Sequence, residues 1–166
     1  MNAIVVYESH WGNTAAVAHA IAEGIGPGAR AWNTDEANGL ALVGVDLLVV
    51  GAPVIAFGLS RESTRAQIAA GAEKAPTPPD VAHPLIRTWL DGLPPADAAC
   101  AAFETRIWWS PRGATGTIEA RLKRAGYHVA AKAERFIVAG AYGPLQDGEV
   151  ERAREWGRTL ARTVDG

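Results

Sequence analysis

The chain is missing the features on which several classes of function depend. Cys100 is its only cysteine, which excludes an intrachain disulfide and a thiolate metal site. No apolar run approaches the ~18 residues of a spanning helix, so no membrane insertion is expected. The N-terminus opens as a strand pattern, with no basic segment and no apolar segment ending in a cleavage site, and the expectation is a cytoplasmic protein. The histidines lack metal-ligand spacing, so no metal is expected. His19 falls on a helical pattern, His83 in a proline-rich loop and His128 at the start of a strand, and all three read as structural. There is no internal repeat and no low-complexity tract.

Charge of one sign is missing as well. The formal net charge is −2 over 166 residues. Residues 1–100 hold 10 acidic and 5 basic side chains, and residues 101–166 hold 8 and 11. The basic excess is spread over two predicted helices, which reads as a solvated face and not as a nucleic-acid stripe. The length suits one domain, 1–166, large enough to bury a core without staples.

What is present is a repeated alternation. Ala3 to Tyr7 is a short β-branched apolar run, followed by a helical pattern from Asn13 to Ile25 with Val17, Ala18, Ile21, Ala22 and Ile25 on one face. Residues 29–34 make a weak strand, 46–53 a clear one stopped by Gly51 and Pro53, and 98–107 a fourth. Helices are predicted from about Thr64 to Ala72, at 84–93 with Pro84 at its start, over 114–127 with Thr115 or Thr117 as cap, and over 147–164 with Asp147 as cap. In the last, Val150, Ala153, Trp156, Leu160 and Val164 share a face. "HVAA" and "RFIVAG" are strand-like pieces separated by "KAE", and 72–84, with four prolines, is a surface excursion. Strand and helix in alternation argue an α/β parallel sheet with helices on both faces. Ligands then sit beyond the carboxyl ends of the strands, which singles out the loops 8–14, 52–62, 107–114 and 140–147.

The first of these loops reads "ESHWGNT" and runs straight into a helix. A helix N-terminus leaves backbone N–H groups unpaired and positively polarised. Gly12 lets the backbone approach an anion, and Ser9, Asn13 and Thr14 offer neutral donors. With no lysine or arginine in the loop, the expected ligand is one phosphomonoester. Walker A is excluded because its first glycine and lysine are missing, and a dinucleotide fingerprint because only Gly12 stands at the turn. A low-molecular-weight phosphatase would need a cysteine here. A response-regulator receiver would need an aspartate where Gly51 and Ala52 end the third strand.

Ser9-His10-Trp11-Gly12-Asn13-Thr14 resembles the phosphate loop of the flavodoxin-like family. Trp11 stands where short-chain flavodoxins usually have threonine, a placement similar to that in flavodoxin-type quinone reductases. The resemblance implies a doubly wound five-stranded sheet in the order 2-1-3-4-5 with FMN at the switch point. It implies that Pro53, Val54, Ile55, Ala56, Phe57 and Gly58 lie along the isoalloxazine, with Phe57 as the stacking aromatic, and that Trp108, Trp109 and Ser110 form the second flavin loop. Tyr142 would border the ring and His10 would approach the phosphate or ribityl chain. Apart from Glu8 and Glu62 at their edges the flavin loops carry no acid, and Arg61, Arg106 and Arg112 lie nearby. Positive charge there implies a less negative potential than in the acidic electron carriers. Arg61 and Arg65 in "SRESTR" suit a nicotinamide phosphate or, as a plainer reading, a helix start capped by Ser60 or Ser63.

Three functions follow from the resemblance. The first is FMN-binding electron transfer with a redox partner protein. The second is an FMN-dependent NAD(P)H oxidoreductase. The third is a binding module that has lost flavin. No hydrolytic or transferase motif is present.

Overall fold

In a computed structural model, which describes residues Met1–Gly166, the alternation becomes one parallel sheet. Its strands are β1 (Ala3–Tyr7), β2 (Ala29–Asn33), β3 (Leu47–Pro53), β4 (Ala99–Ile107), β5 (His128–Val129) and β6 (Glu134–Val138). The order is β2-β1-β3-β4-β5, with β6 also paired to β4. The five-stranded expectation is therefore met in five positions by six strands, because Ala130 to Ala133 interrupt the last one.

The helices are α1 (Asn13–Ile25), α2 (Glu62–Ala70), α3 (Ile86–Asp91), α4 (Thr115–Arg124) and α5 (Glu149–Asp165). Successive strand residues point to opposite faces, and both faces here are apolar. Ala3, Val5, Leu47, Val49, Ala101 and Phe103 pack under α1 and α5. Ile4, Val6, Leu48, Val50, Cys100 and Ala102 pack under α3 and α4. Phe103, Phe136 and Trp156 meet edge to face with centroids 6.2–6.5 Å apart. The α1–α5 contact is close because a Cβ on Gly157 would collide with the Ile21 carbonyl. The Cys100 thiol is fully buried, and burial pushes it up to about 11, which makes it inert.

Several expected caps are replaced by other groups. No threonine caps α4. The buried Glu104 carboxylate reaches across from β4 and accepts the Ala114 and Thr115 N–H groups at 2.6 and 3.0 Å. Gly148, not Asp147, is the cap residue of α5. At α2 the cap residue is Arg61, and the Thr64 hydroxyl accepts its N–H at 2.9 Å. Val150 is exposed, whereas Ala153, Trp156 and Leu160 are buried as expected. On α5, Arg154, Arg158 and Arg162 each pair with a carboxylate, so the basic excess there is largely self-neutralised. No helix is long and apolar enough to cross a membrane.

Candidate functional site

The carboxyl ends of β1, β3, β4 and β6 surround a cavity of about 280 Å³. Ser9, His10, Trp11, Asn13 and Thr14 line it from the first loop, and Pro53, Val54, Ile55 and Ala56 from the second. The remaining wall is Thr105, Arg106 and Ile107 from β4, Val138, Gly140 and Ala141 after β6, and Ile68 from α2. Arg106 is expected near the flavin from the sequence, but Glu104 and Thr105 beside it are not, because polar residues inside an apolar strand pattern carry no motif. The signal lay in that violation of the pattern, since Glu104, Thr105 and Arg106 are all buried.

Gly12 adopts φ 90°, the left-handed region that suits glycine, and turns the chain from β1 into α1. The side chains expected to face a phosphate are engaged elsewhere. Ser9 Oγ accepts the Gly12 N–H at 3.1 Å, Thr14 Oγ1 lies 2.7 Å from Thr105 Oγ1, and Asn13 Nδ2 donates to the Tyr142 carbonyl at 3.2 Å. Main-chain donors remain. The amides of Asn13, Thr14 and Ala15 have no backbone acceptor, and no acidic residue occupies the first turn of α1. Trp11 supplies one more: its indole Nε1 is buried and has no hydrogen-bond partner, while its ring meets Tyr142 edge to face at 5.0 Å.

His10 does not turn its ring towards these donors. It is buried, with Nδ1 2.8 Å from the Asp80 carbonyl, a contact that assigns the proton to Nδ1. Nε2 lies 3.4 Å from Ser60 Oγ and 3.2 Å from Glu8 Oε1, near enough to the latter for ion pairing but without hydrogen-bond geometry. Glu8 Oε2 accepts the Ile86 N–H at 2.7 Å. Burial opposes the Glu8 charge, but the nearby His10 ring, the Ile86 N–H bond and the Ser60 hydroxyl close by outweigh it and hold the carboxyl below its ordinary value. His83 pairs with Asp80 at 2.9 Å, and His128 with Asp97 at 2.6 Å. No group of three or more His, Cys, Asp or Glu residues is placed to hold a metal ion.

The second loop is strained. Ala56 and Phe57 have φ values of 47° and 64°, and the turn is closed by reciprocal main-chain bonds between Ile55 and Gly58 at 2.8 and 3.0 Å. Turns of this kind ordinarily carry Asn-Gly at those two positions. Two residues with side chains in that conformation cost free energy, of the sort that collects at ligand sites. The turn exposes Phe57, 42 % accessible, where it meets Trp109 edge to face at 6.3 Å. Phe57, Gly58, Trp108, Trp109 and Ser110 do not line the cavity, and Gly12 borders a smaller one beside β2. Trp108 and Trp109 are exposed, while Ser110 is buried and donates to the Arg112 carbonyl at 2.7 Å.

With strand order, crossover and cavity in place, comparison with solved structures is decisive for the architecture. The chain has the flavodoxin fold. It is similar over 100 % of its length, and of the other chain's, to a flavodoxin from the domain Archaea, with TM-score 0.65 and 20 % identity. Oxidised Flavodoxin 2 from Bacillus cereus gives TM-score 0.67 at 15 % identity, with 98 % and 99 % of the two chains covered. A flavodoxin, WrbA-like protein from Agrobacterium tumefaciens gives TM-score 0.59 at 19 % identity, with 99 % and 97 % covered. No protein-family model and no curated protein matches the sequence. In this flavodoxin fold the β1–β3 pairing is the switch point, and the cavity opens above it.

Proposed function

We propose that the protein binds FMN in the cavity above β1 and β3 and acts in electron transfer with a redox partner protein. The observation that carries this reading is the set of unsatisfied donors at the switch point: three free amides at the start of α1 and the buried Trp11 indole N–H. The donor set fits a phosphomonoester, because it is neutral and backed by the positive end of a thirteen-residue helix. Above it, Pro53 to Ala56, Ile68 and Ile107 give an apolar wall suited to a flat heteroaromatic ring, with Arg106 the one arginine or lysine on it.

FMN supplies reversible uptake of electrons when bound, and the chain supplies binding, orientation and electrostatics. The α1 amides hold the phosphate end. The strained turn at Ala56 and Phe57 fixes the backbone that faces the ring. Arg106, fixed by Glu104 Oε1 at 3.0 Å, places positive charge where reduction adds negative charge.

Titration of the apo-protein with FMN, followed by flavin fluorescence, tests the reading. Saturable quenching is expected, and it should disappear in a Gly12→Val, Thr14→Ala double variant. The absence of quenching in the wild type would refute it. Reduction of the bound flavin by NAD(P)H alone would favour the oxidoreductase alternative over electron transfer.

A further inference from the structure

A second cavity, of about 480 Å³, lies against the outer side of the Ile55–Gly58 turn. Arg61 from the cap of α2, Arg87 from the first turn of α3 and Arg112 from the loop before α4 line it, with Phe57 in its wall. Nine of the thirteen arginines in the chain hold a carboxylate within 4.0 Å. Of the four that do not, three are these. The Arg87 guanidinium reaches only the Leu59 and Ser60 carbonyls, at 3.1 and 3.3 Å. Burial, followed by the positive charges of Arg121 and Arg61, holds it below its ordinary value.

Uncompensated arginines on three separate elements form a fork suited to clustered phosphate oxygens, which guanidinium groups bind in bidentate fashion. Beside them stands Phe57, with Trp109 against it at 6.3 Å, two of the six large apolar side chains the protein leaves exposed. Aromatic faces next to cationic groups provide stacking for a base and neutralisation for its phosphates. We infer that this cavity binds a nucleoside diphosphate moiety, the part that ADP and nicotinamide dinucleotides share, with the diphosphate on Arg61, Arg87 and Arg112 and the base against Phe57 and Trp109. The site shares Ile55 and Ala56 with the wall of the first cavity, so its ligand lies one turn of chain away from that pocket. The assignment stands apart from the flavin reading, because the ligand contacts nothing but protein.

The test is a calorimetric titration of the protein with ADP, repeated with NADPH and with inorganic pyrophosphate. An Arg61→Ala, Arg112→Ala variant accompanies it, since both side chains are exposed and neither holds an ion pair. ADP and NADPH should bind saturably and compete, and the double variant should weaken both by about tenfold or more, as loss of charged hydrogen bonds implies. FMN affinity should be the same in variant and wild type. Lack of saturable ADP binding, binding that the double variant leaves unchanged, or pyrophosphate bound as tightly as ADP would each overturn the nucleotide site. Loss of FMN together with ADP in the variant would place both ligands in one cavity and overturn it too. A urea midpoint equal to wild type shows that the variant is folded.

Discussion

His10 and Asp80 are joined twice: the His10 ring Nδ1 lies 2.8 Å from the Asp80 carbonyl, and the Asp80 N–H donates to the His10 carbonyl at 2.8 Å. The pair fastens the proline-rich excursion 72–84 onto the first loop, so a segment with almost no regular structure is tied to the site. Arg65 Nη1 to the His83 carbonyl and Thr34 Oγ1 to the Pro84 carbonyl, both 2.6 Å, complete the attachment. His10→Ala should loosen it, since the ring contact goes while the main-chain bond stays, with a loss of ~1 kcal/mol. Hydrogen exchange of amides in the excursion should be faster in the variant than in the wild type; equal protection in the two would refute the fastening.

Acid stability should depend on Glu8. Its carboxyl is held below the ordinary 4.5 in the folded protein, so its stabilisation is complete above that value and is lost as pH falls through the lower folded one. Glu149, depressed through Arg152 and the Ile137 N–H against the opposing effect of burial, contributes in the same direction. Glu8→Gln should therefore flatten, without abolishing, the fall in the urea midpoint on acidification. A profile parallel to wild type would show that Glu8 is not one of the groups responsible.

Trp11→Phe separates binding from folding. The change removes the buried Nε1 donor and keeps the ring that meets Tyr142. An unsatisfied buried donor costs ~1–3 kcal/mol, so the apo variant should be as stable as wild type or more so. FMN affinity should fall by about tenfold, the equivalent of ~1.4 kcal/mol. Unchanged affinity would mean that the indole N–H faces no ligand.

The potential of bound FMN should be less negative than in the acidic electron carriers, since the cavity wall contains Arg106 and no carboxylate. Glu104 offsets that charge in part from beneath, so Arg106→Gln should lower the potential modestly, by ~20 mV for a two-electron couple per ~1 kcal/mol of interaction lost. Potentiometry on the loaded protein measures both, and a wild-type value as low as that of the acidic carriers would contradict the electrostatic argument.

Reading the chain by period and punctuation located the alternation, α1 with its first loop and three of the buried strands nearly to the residue, because these depend on neighbours within a few positions. It also pointed to residues 9–14 and 53–58 as the ends of strands that meet at the switch point. The errors have a common physical origin. Caps assigned to Thr115, Asp147 and Ser60 went instead to partners distant in sequence or to the main chain, because a carboxylate such as Glu104 on the central strand outcompetes a local hydroxyl once the sheet forms. Asn13 and Thr14, legible as phosphate donors, are taken up by Tyr142 and Thr105 across 129 and 91 residues. Local chemistry thus determined which segments are strands and helices and where the chain must turn. Only the tertiary structure decided which donors stay free, which arginines lack a carboxylate and which loops share a wall, because each depends on groups far apart in sequence meeting after the sheet has closed the distance.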